Sequence, residues 1–307
     1  KYQQNKKDLA ALSEQMISYK QDKNSPLQGE RASSDLLSDL LQSNRNYFAD
    51  LEEQSKIEAQ IIRINETDKL GNMIDYLNKK FSISVGFLDI DNNNNAIRRY
   101  NEEKKHLTFI RGLGRETKEF LIAHQIGLLT AKKPIDNYIS KFGISDANTI
   151  SLGRTVLANY FAGALLMPYD EFWQVAEKSR YDIEVISNHF ETSFEQVCHR
   201  LTTMQRPDKE GIPFHFLRVD LAGNISKRFS ISGLQIPRYS VACPRWNVYT
   251  AFLSPGKIKI QISKMLDGKT YLCLARTVSN RVGKYGEPET FFSVGMGFEI
   301  SHAARCI

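Results

Sequence analysis

The sequence predicts an α+β protein with a helical N-terminal segment, a mixed middle unit and a β-rich C-terminal domain. Three observations predict it. Apolar residues recur at three- and four-residue steps through most of the first two thirds of the 307 residues, the period of a helix with one buried stripe. From residue 212 onward β-branched and aromatic residues dominate, in short runs separated by turn dipeptides. Between these regimes, at 81–110, a β-rich run and a polar strand ending in an apolar one interrupt the helices.

Residues 1–65 read as a helical linker or dimerisation segment. "DLAALSEQMISYKQ" and "SSDLLSDLLQSNRNYFADLEEQSKIEAQII" carry the helical period, with a loop at "DKNSPLQGE" around Pro26 and Gly29. Ser33 or Ser34 is positioned to cap the second helix. Residues 66–207 form the middle unit, beginning with an amphipathic helix over 66–80 that places Leu70, Met73, Ile74 and Leu77 on one side. "FSISVGFLDI" is strand-like, "DNNNN" is a turn, and "AIRRYNEEKKHLTFI" returns as strand. A helix over 116–131 follows, then a loop with Pro134, then a helix through "NTISLGRTVLANYFAGALLM" stopped by Pro168. Residues 169–205 are helical again, the last helix capped by Thr192 or Ser193 and stopped at Pro207. In 208–307, "PFHFLRVD" and "ISKRFSIS" are strands joined by "LAGN". "KIKIQISKML" and "KTYLCLARTV" are joined by Asp267-Gly268, a strong hairpin signal. "TFFSVGMGFEI" is a further strand.

Composition bounds the function. A hydrophobic content of 41% with 10% aromatics describes a folded chain. A net charge of +6 suits an anionic partner, whether nucleic acid, acidic lipid or a phosphorylated small molecule. There is no 18-residue apolar run and no secretory leader pattern, so the expectation is a cytoplasmic protein with no membrane partner. The chain begins at Lys1, which predicts a piece of a longer protein. Cys198, Cys243, Cys273 and Cys306 include no C-x-x-C pair; they read as buried or incidental thiols in a reducing compartment.

The stretch that carries chemistry is "EFLIAHQIGLL" at 119–129. A zincin helix reads H-E-x-x-H, two imidazoles one turn apart on one metal with a glutamate base between them. Here His124 remains, Gln125 stands where the glutamate would be, and Leu128 where the second histidine would be. One imidazole does not hold Zn²⁺, and an amide is no general base. Alone, His124 reads as a packed core histidine. Cys198-His199 is no nucleophilic pair, because adjacent helical residues diverge by about 100°.

Two stretches go beyond pattern. "RTVLANYFAGALLMP" (154–168) resembles the second motif of the ImmA/IrrE metallopeptidase family, in which an acidic residue precedes Ala-Asn; here Leu157 precedes Ala158-Asn159. "FEQVCHRLTTMQRP", "GIPFHFLRVDLAGNISKRFS" and "CPRWNVYTAF" resemble the PrpR/RamB-like family of short-chain fatty-acyl transcriptional regulators, XRE-type helix-turn-helix proteins. The resemblance runs from about 66 to the end. It implies a degenerate zincin-like (ImmA/IrrE, pseudo-metallopeptidase) domain over 66–207 and a sensor domain over 208–307. It implies no catalysis, an acyl-CoA or CoA effector such as propionyl-CoA or acetyl-CoA, and control of fatty acid metabolism genes. DNA would be contacted through a helix-turn-helix domain that this chain lacks. A homo-oligomer is expected. Some members resemble iron–sulfur proteins with a C-x-x-C tail; Cys243 would be one ligand of such a cluster, the others lying beyond this chain.

These implications define a candidate acyl-CoA site. His124, Gln125, Asn159 and Tyr160 would supply polar contacts in the groove that the lost metal leaves. Arg200, Arg206, Lys227, Arg228 and Arg245 would meet the phosphates, because arginine grips phosphate with a planar fork. Trp246, Phe229 and Tyr239 would stack on adenine. Taken singly, each basic residue reads as a solvated surface charge and each aromatic as core. Lys227 and Arg228 alternate on a strand and cannot both enter one pocket. An iron–sulfur redox-sensing module and an atypical metallopeptidase are the alternatives.

Overall fold

The computed structural model describes residues 26–88, 97–236, 245–265, 267–280 and 290–306. The helix read over 8–21, the turn at 91–95, Tyr239 and Cys243 lie outside the described residues.

The N-terminal helices are part of the middle domain, not a linker beside it. Helix α1 spans Pro26–Ser43 and α2 spans Ala49–Ile62. The expected loop around Pro26 is instead a helix start, since proline's fixed φ and missing N–H are tolerated in a first turn. Ser33 lies within α1 and is buried, its hydroxyl 2.7 Å from that of Thr149. Leu37, Leu40, Phe48 and Leu51 are buried in one core with Leu157, Phe161 and Leu165. Much of the apolar stripe of the segment read as a linker or dimerisation element is thus used inside the chain, while Leu36, Ile57 and Ile61 stay exposed.

Helix α3 (Lys69–Phe81) is capped by Asp68, whose carboxylate accepts from the Gly71 N–H, and buries Met73 and Leu77. It leads into a three-stranded sheet of β1 (Ser84–Leu88), β2 (Arg98–Asn101) and β3 (His106–Ile110), in spatial order β1-β3-β2. β1 and β3 run parallel and β2 runs antiparallel to β3. Helix α4 (Arg115–Thr130) carries His124 and Gln125; α5 (Lys132–Lys141) follows, and α6 (Ala147–Leu166) crosses α4. The crossing is close because Gly127 has no side chain: a Cβ there would sit 2.7 Å from the Phe161 ring.

Helices α7 (Tyr169–Lys178), α8 (Ile183–Phe190) and α9 (Phe194–Leu201) complete the helical part. Ser193 and Gln196 form a reciprocal capping box at the start of α9. α9 ends at Leu201, earlier than the proline stop predicted, because Gln205–Arg206 (β4) and Lys209–Glu210 (β5) pair as a small hairpin across Pro207-Asp208.

The C-terminal domain is a five-stranded antiparallel sheet of β6 (His215–Asp220), β7 (Ile225–Ser230), β8 (Lys259–Lys264), β9 (Thr270–Asn280) and β10 (Thr290–Glu299), in order β7-β6-β10-β9-β8. Gly223 and Gly268 adopt positive φ in the two predicted turns. Alternation sorts the strand side chains onto two faces. Phe216, Val294, Met296 and Phe298 pack with Phe172, Ile186 and Val197 of α7–α9. Leu217, Val219 and Ala275 pack on the other face against Val248 and Ala251 of a short helix, α10 (Asn247–Thr250), and the turn after it. Gly295 lets α10 lie on the sheet, since a Cβ there would meet Val248 at 2.3 Å. The edge strand β8 turns Gln261 and Ser263 toward the α10 side and leaves Ile260 and Ile262 exposed.

Candidate functional site

The zincin remnant holds a cation, but it is an arginine. Arg98, on the outer strand β2, directs Nη1 to His124 Nδ1 at 2.9 Å and to Gln125 Oε1 at 3.1 Å. A guanidinium only donates, so Nδ1 accepts and the proton of the neutral ring lies on Nε2. Burial, and then the charge of Arg98, lower the His124 pKa to about 4, against a hydrogen bond that the ring donates to the Thr155 backbone carbonyl. Leu157 is fully buried and Leu128 packs against the core. The residues here do not fit zinc: one imidazole, an amide and two leucines supply no ligand set. Among the described residues no group of three or more His, Cys, Asp or Glu is placed to hold a metal.

The predicted acyl-CoA contacts do not come together. Tyr160 and Arg200 are buried partners of Glu52 on α2. Arg200 grips the carboxylate through both terminal nitrogens, at 2.6 and 2.9 Å, and Tyr160 donates to it at 2.6 Å. Arg200 Nε donates to the Met167 carbonyl and Nη1 also to Thr203. This lock ties α2, α6 and α9 together and uses the cation that sequence assigned to phosphate. Asn159 is exposed. Arg206 pairs with Asp170 and Asp208 at the edge of an open groove between α2 and α7. Asp50, Glu53, Glu66 and Glu171 also line that groove, a poor setting for CoA phosphates. Lys227 pairs with Glu195 at 2.9 Å, while Arg228 reaches Asp35 of α1 at 3.3 Å, as alternation required of two adjacent strand residues. Arg245 is exposed, and its carbonyl accepts from Gln261.

Trp246 alone of the predicted set lines a recess in the C-terminal sheet. The recess lies beneath α10, walled by Leu217, Leu234, Ile236 and Val248, with Gln261 and Ser263 on its β8 side. It is small, with about 20 Å³ of free volume, roughly one water's worth. Its polar lining is His215, Cys273 and Tyr271, with Asn247, Gln261 and Ser263. His215 Nδ1 lies 2.9 Å from the Ser232 hydroxyl, and Nε2 lies 3.6 Å from Cys273 Sγ. Burial drives the His215 pKa down to about 3 and the Cys273 pKa up to about 11, so the ring is neutral and the thiol protonated at pH 7. That pair does not make a thiolate nucleophile. Tyr271 is 1% exposed, and among the described residues its hydroxyl has no hydrogen-bond partner. Burial raises its pKa further, so it remains a donor.

Sequence reasoning missed Arg98, His215 and Tyr271. No local signal marks Arg98, whose role depends on a strand meeting a helix 26 residues later. For the other two, strand parity was the available signal: His215 on β6 and Tyr271, Cys273 and Ala275 on β9 share one face.

Comparison with known proteins follows these two halves. Residues 78–202 match the IrrE N-terminal-like domain, and residues 203–307 match the short-chain fatty acyl coenzyme A regulator, C-terminal domain. The HTH-type transcriptional regulator RamB of Mycobacterium tuberculosis is 41% identical over 218 residues, 71% of this chain and 46% of RamB. The propionyl-CoA carboxylase regulator of Cereibacter sphaeroides is 42% identical over 187 residues, 61% of this chain and 41% of that protein. The HTH-type regulator PrpR of M. tuberculosis is 38% identical over 235 residues, 76% and 48% of the two chains. The chain thus spans about half the length of the curated relatives it matches. A solved structure described as a M. tuberculosis transcriptional regulator superimposes with a TM-score of 0.82 at 34% identity, over 88% of this chain and 82% of that one. By these matches the chain belongs to the short-chain fatty acyl coenzyme A regulator family, with an IrrE-like domain preceding a β-rich C-terminal domain.

Proposed function

We propose that this chain is the effector-binding part of a transcriptional regulator of short-chain fatty acid metabolism, with short-chain acyl-CoA as effector. The acyl group enters the recess beneath α10, and the Tyr271 hydroxyl donates to the thioester carbonyl. The observation that carries the reading is that hydroxyl: a buried donor without a partner among the described residues, on a side chain that lines the recess. Leaving it unpaired costs about 1–3 kcal/mol, which a carbonyl acceptor restores. Trp246 and the exposed Arg245 stand at the mouth, where adenine and phosphate would lie. Because the recess has room for little more than a water, binding requires α10 to move from the sheet. An effector that binds the opened form better shifts that equilibrium, and by linkage shifts affinity for DNA held by another domain. The relatives' names as HTH-type regulators support DNA as that partner; a homo-oligomer is the assembly we propose.

Calorimetry of this chain with propionyl-CoA and acetyl-CoA tests the reading. Saturable heat is expected, with a change in Trp246 fluorescence absent from Trp246→Phe. Tyr271→Phe is expected to weaken binding roughly tenfold. No heat and no thermal shift from either ligand would overturn it.

A further inference from the structure

The remnant of the metal site contains a charge that the protein does not neutralise. Arg98 is half-buried on the outer strand β2, and burial lowers its pKa from the ordinary arginine value. Among the described residues the only hydrogen bonds of its side chain are those of Nη1 to His124 and Gln125, Nη2 and Nε make none, and no carboxylate pairs with it. The partly buried arginines elsewhere show the usual arrangement: Arg200 has Glu52, Arg206 has Asp170, and Arg218 has Glu195. Removing a cation from water without a counter-ion is costly, and proteins ordinarily avoid it.

Arg98 is also held in place. His124 Nδ1 and Gln125 Oε1 both accept from one nitrogen, on a helix packed against α6. Fixing the guanidinium at one corner leaves the edge formed by Nη2 and Nε as a preset pair of parallel donors, the geometry that suits two oxygens of one anion. His124 is neutral and Gln125 is an amide, so neither repels an anion.

From this we propose that Arg98, oriented by His124 and Gln125, is an anion receptor: a second ligand site, in the IrrE-like domain, for a carboxylate or phosphate group. In this reading the domain exchanged a metal that polarises a substrate for a guanidinium that binds an anionic one without chemistry. The site is separate from the recess under α10, whose lining includes none of these three residues.

Titrating inorganic phosphate and, separately, propionate into the ¹⁵N-labelled protein at constant ionic strength tests it. The expected result is a saturable shift of the His124 ring and Arg98 side-chain resonances with at least one anion. Saturation by phosphate alone assigns a phosphate-bearing ligand, by propionate alone a carboxylate, and by both the shared chemistry. Arg98→Gln is expected to weaken the response roughly tenfold or more, and Arg98→Lys less, since the charge remains and only the fork is lost. Tyr271→Phe should leave it unchanged, which separates this site from the acyl-CoA recess. No saturable shift in the unmodified protein with either anion, or an unaltered response in a folded Arg98→Gln protein, would overturn the proposal. The titration of the unmodified protein decides even if the variant does not fold.

Discussion

Two buried polar sites, one in each half of the chain, are built in opposite ways. At the centre of the helical half, Glu52, Arg200 and Tyr160 saturate one another, and even the backbone N–H of Phe48 is used, donating to the Tyr160 hydroxyl at 3.3 Å. In the sheet half, the Tyr271 hydroxyl faces a recess with nothing to bond. The first arrangement fixes a shape; the second leaves a bond for something else to make. A saturated cluster that sequence offers as a binding site is therefore better read as structure, and an unsatisfied one that sequence passes over as the binding site. Arg98 falls between the two: gripped on one side, free on the other.

The comparison breaks most sharply at Arg200. Arg200→Met strands the Glu52 carboxylate in the core, and a cost of about 3–5 kcal/mol is expected in chemical denaturation. Adding Glu52→Leu should recover much of that loss, because replacing both members of a buried pair is far cheaper than replacing one. If the single change proves mild, the lock is not what joins α2 to α9.

Acid sharpens the sheet side. The His215 pKa is depressed to about 3 in the folded protein, against about 6.5 when unfolded. Above pH 6.5 the ring is neutral in both states and contributes no difference. As pH falls below that value the unfolded chain binds the proton first, so stability is lost progressively down to about pH 3. Between pH 7 and 5 the loss from this residue is roughly 2 kcal/mol. Denaturant midpoints at pH 7, 6 and 5 should show a shallower decline in His215→Gln.

Two tyrosine-to-phenylalanine changes then test the contrast directly. Tyr160→Phe removes a bond from Glu52 and leaves the Phe48 N–H unpaired, so a loss of about 1–3 kcal/mol is expected. Tyr271→Phe removes a hydroxyl that bonds to nothing, so the ligand-free protein should hold or gain up to about 1 kcal/mol while its acyl-CoA affinity falls. Equal effects at the two positions would erase the distinction drawn between the halves.

Much of this fold was legible because it is local. The period of α3, α4 and α6, the Ser193 cap, Asp267-Gly268 and the switch to strand near 212 are all written in neighbouring residues. The departures of Gln125, Leu128 and Leu157 from the metallopeptidase motifs are likewise readable in single positions. What was not legible depends on long-range meetings. Glu52 and Arg200 are 148 residues apart, so an arginine inside a motif helix looked available for phosphate. The apolar stripe of α1 and α2 looked like an interface because nothing local says that α6 covers it. The alternation in "KIKIQISK" does not say which face meets the recess, and the structure turns the isoleucines outward.

The smallest expected effect is at Asn159. Its neighbour Tyr160 is buried against Phe48 and Glu52, yet Asn159 itself is exposed on α6. An exposed polar side chain away from a cap, turn or network changes stability by no more than about 0.5 kcal/mol when truncated. Asn159→Ala should therefore leave both the denaturation midpoint and the calorimetric affinity for propionyl-CoA unchanged. A clear loss of affinity with stability intact would place the acyl-CoA beside α6. It would move the effector site into the degenerate peptidase half and leave the Tyr271 hydroxyl as a packing defect, reversing the roles assigned to the two halves.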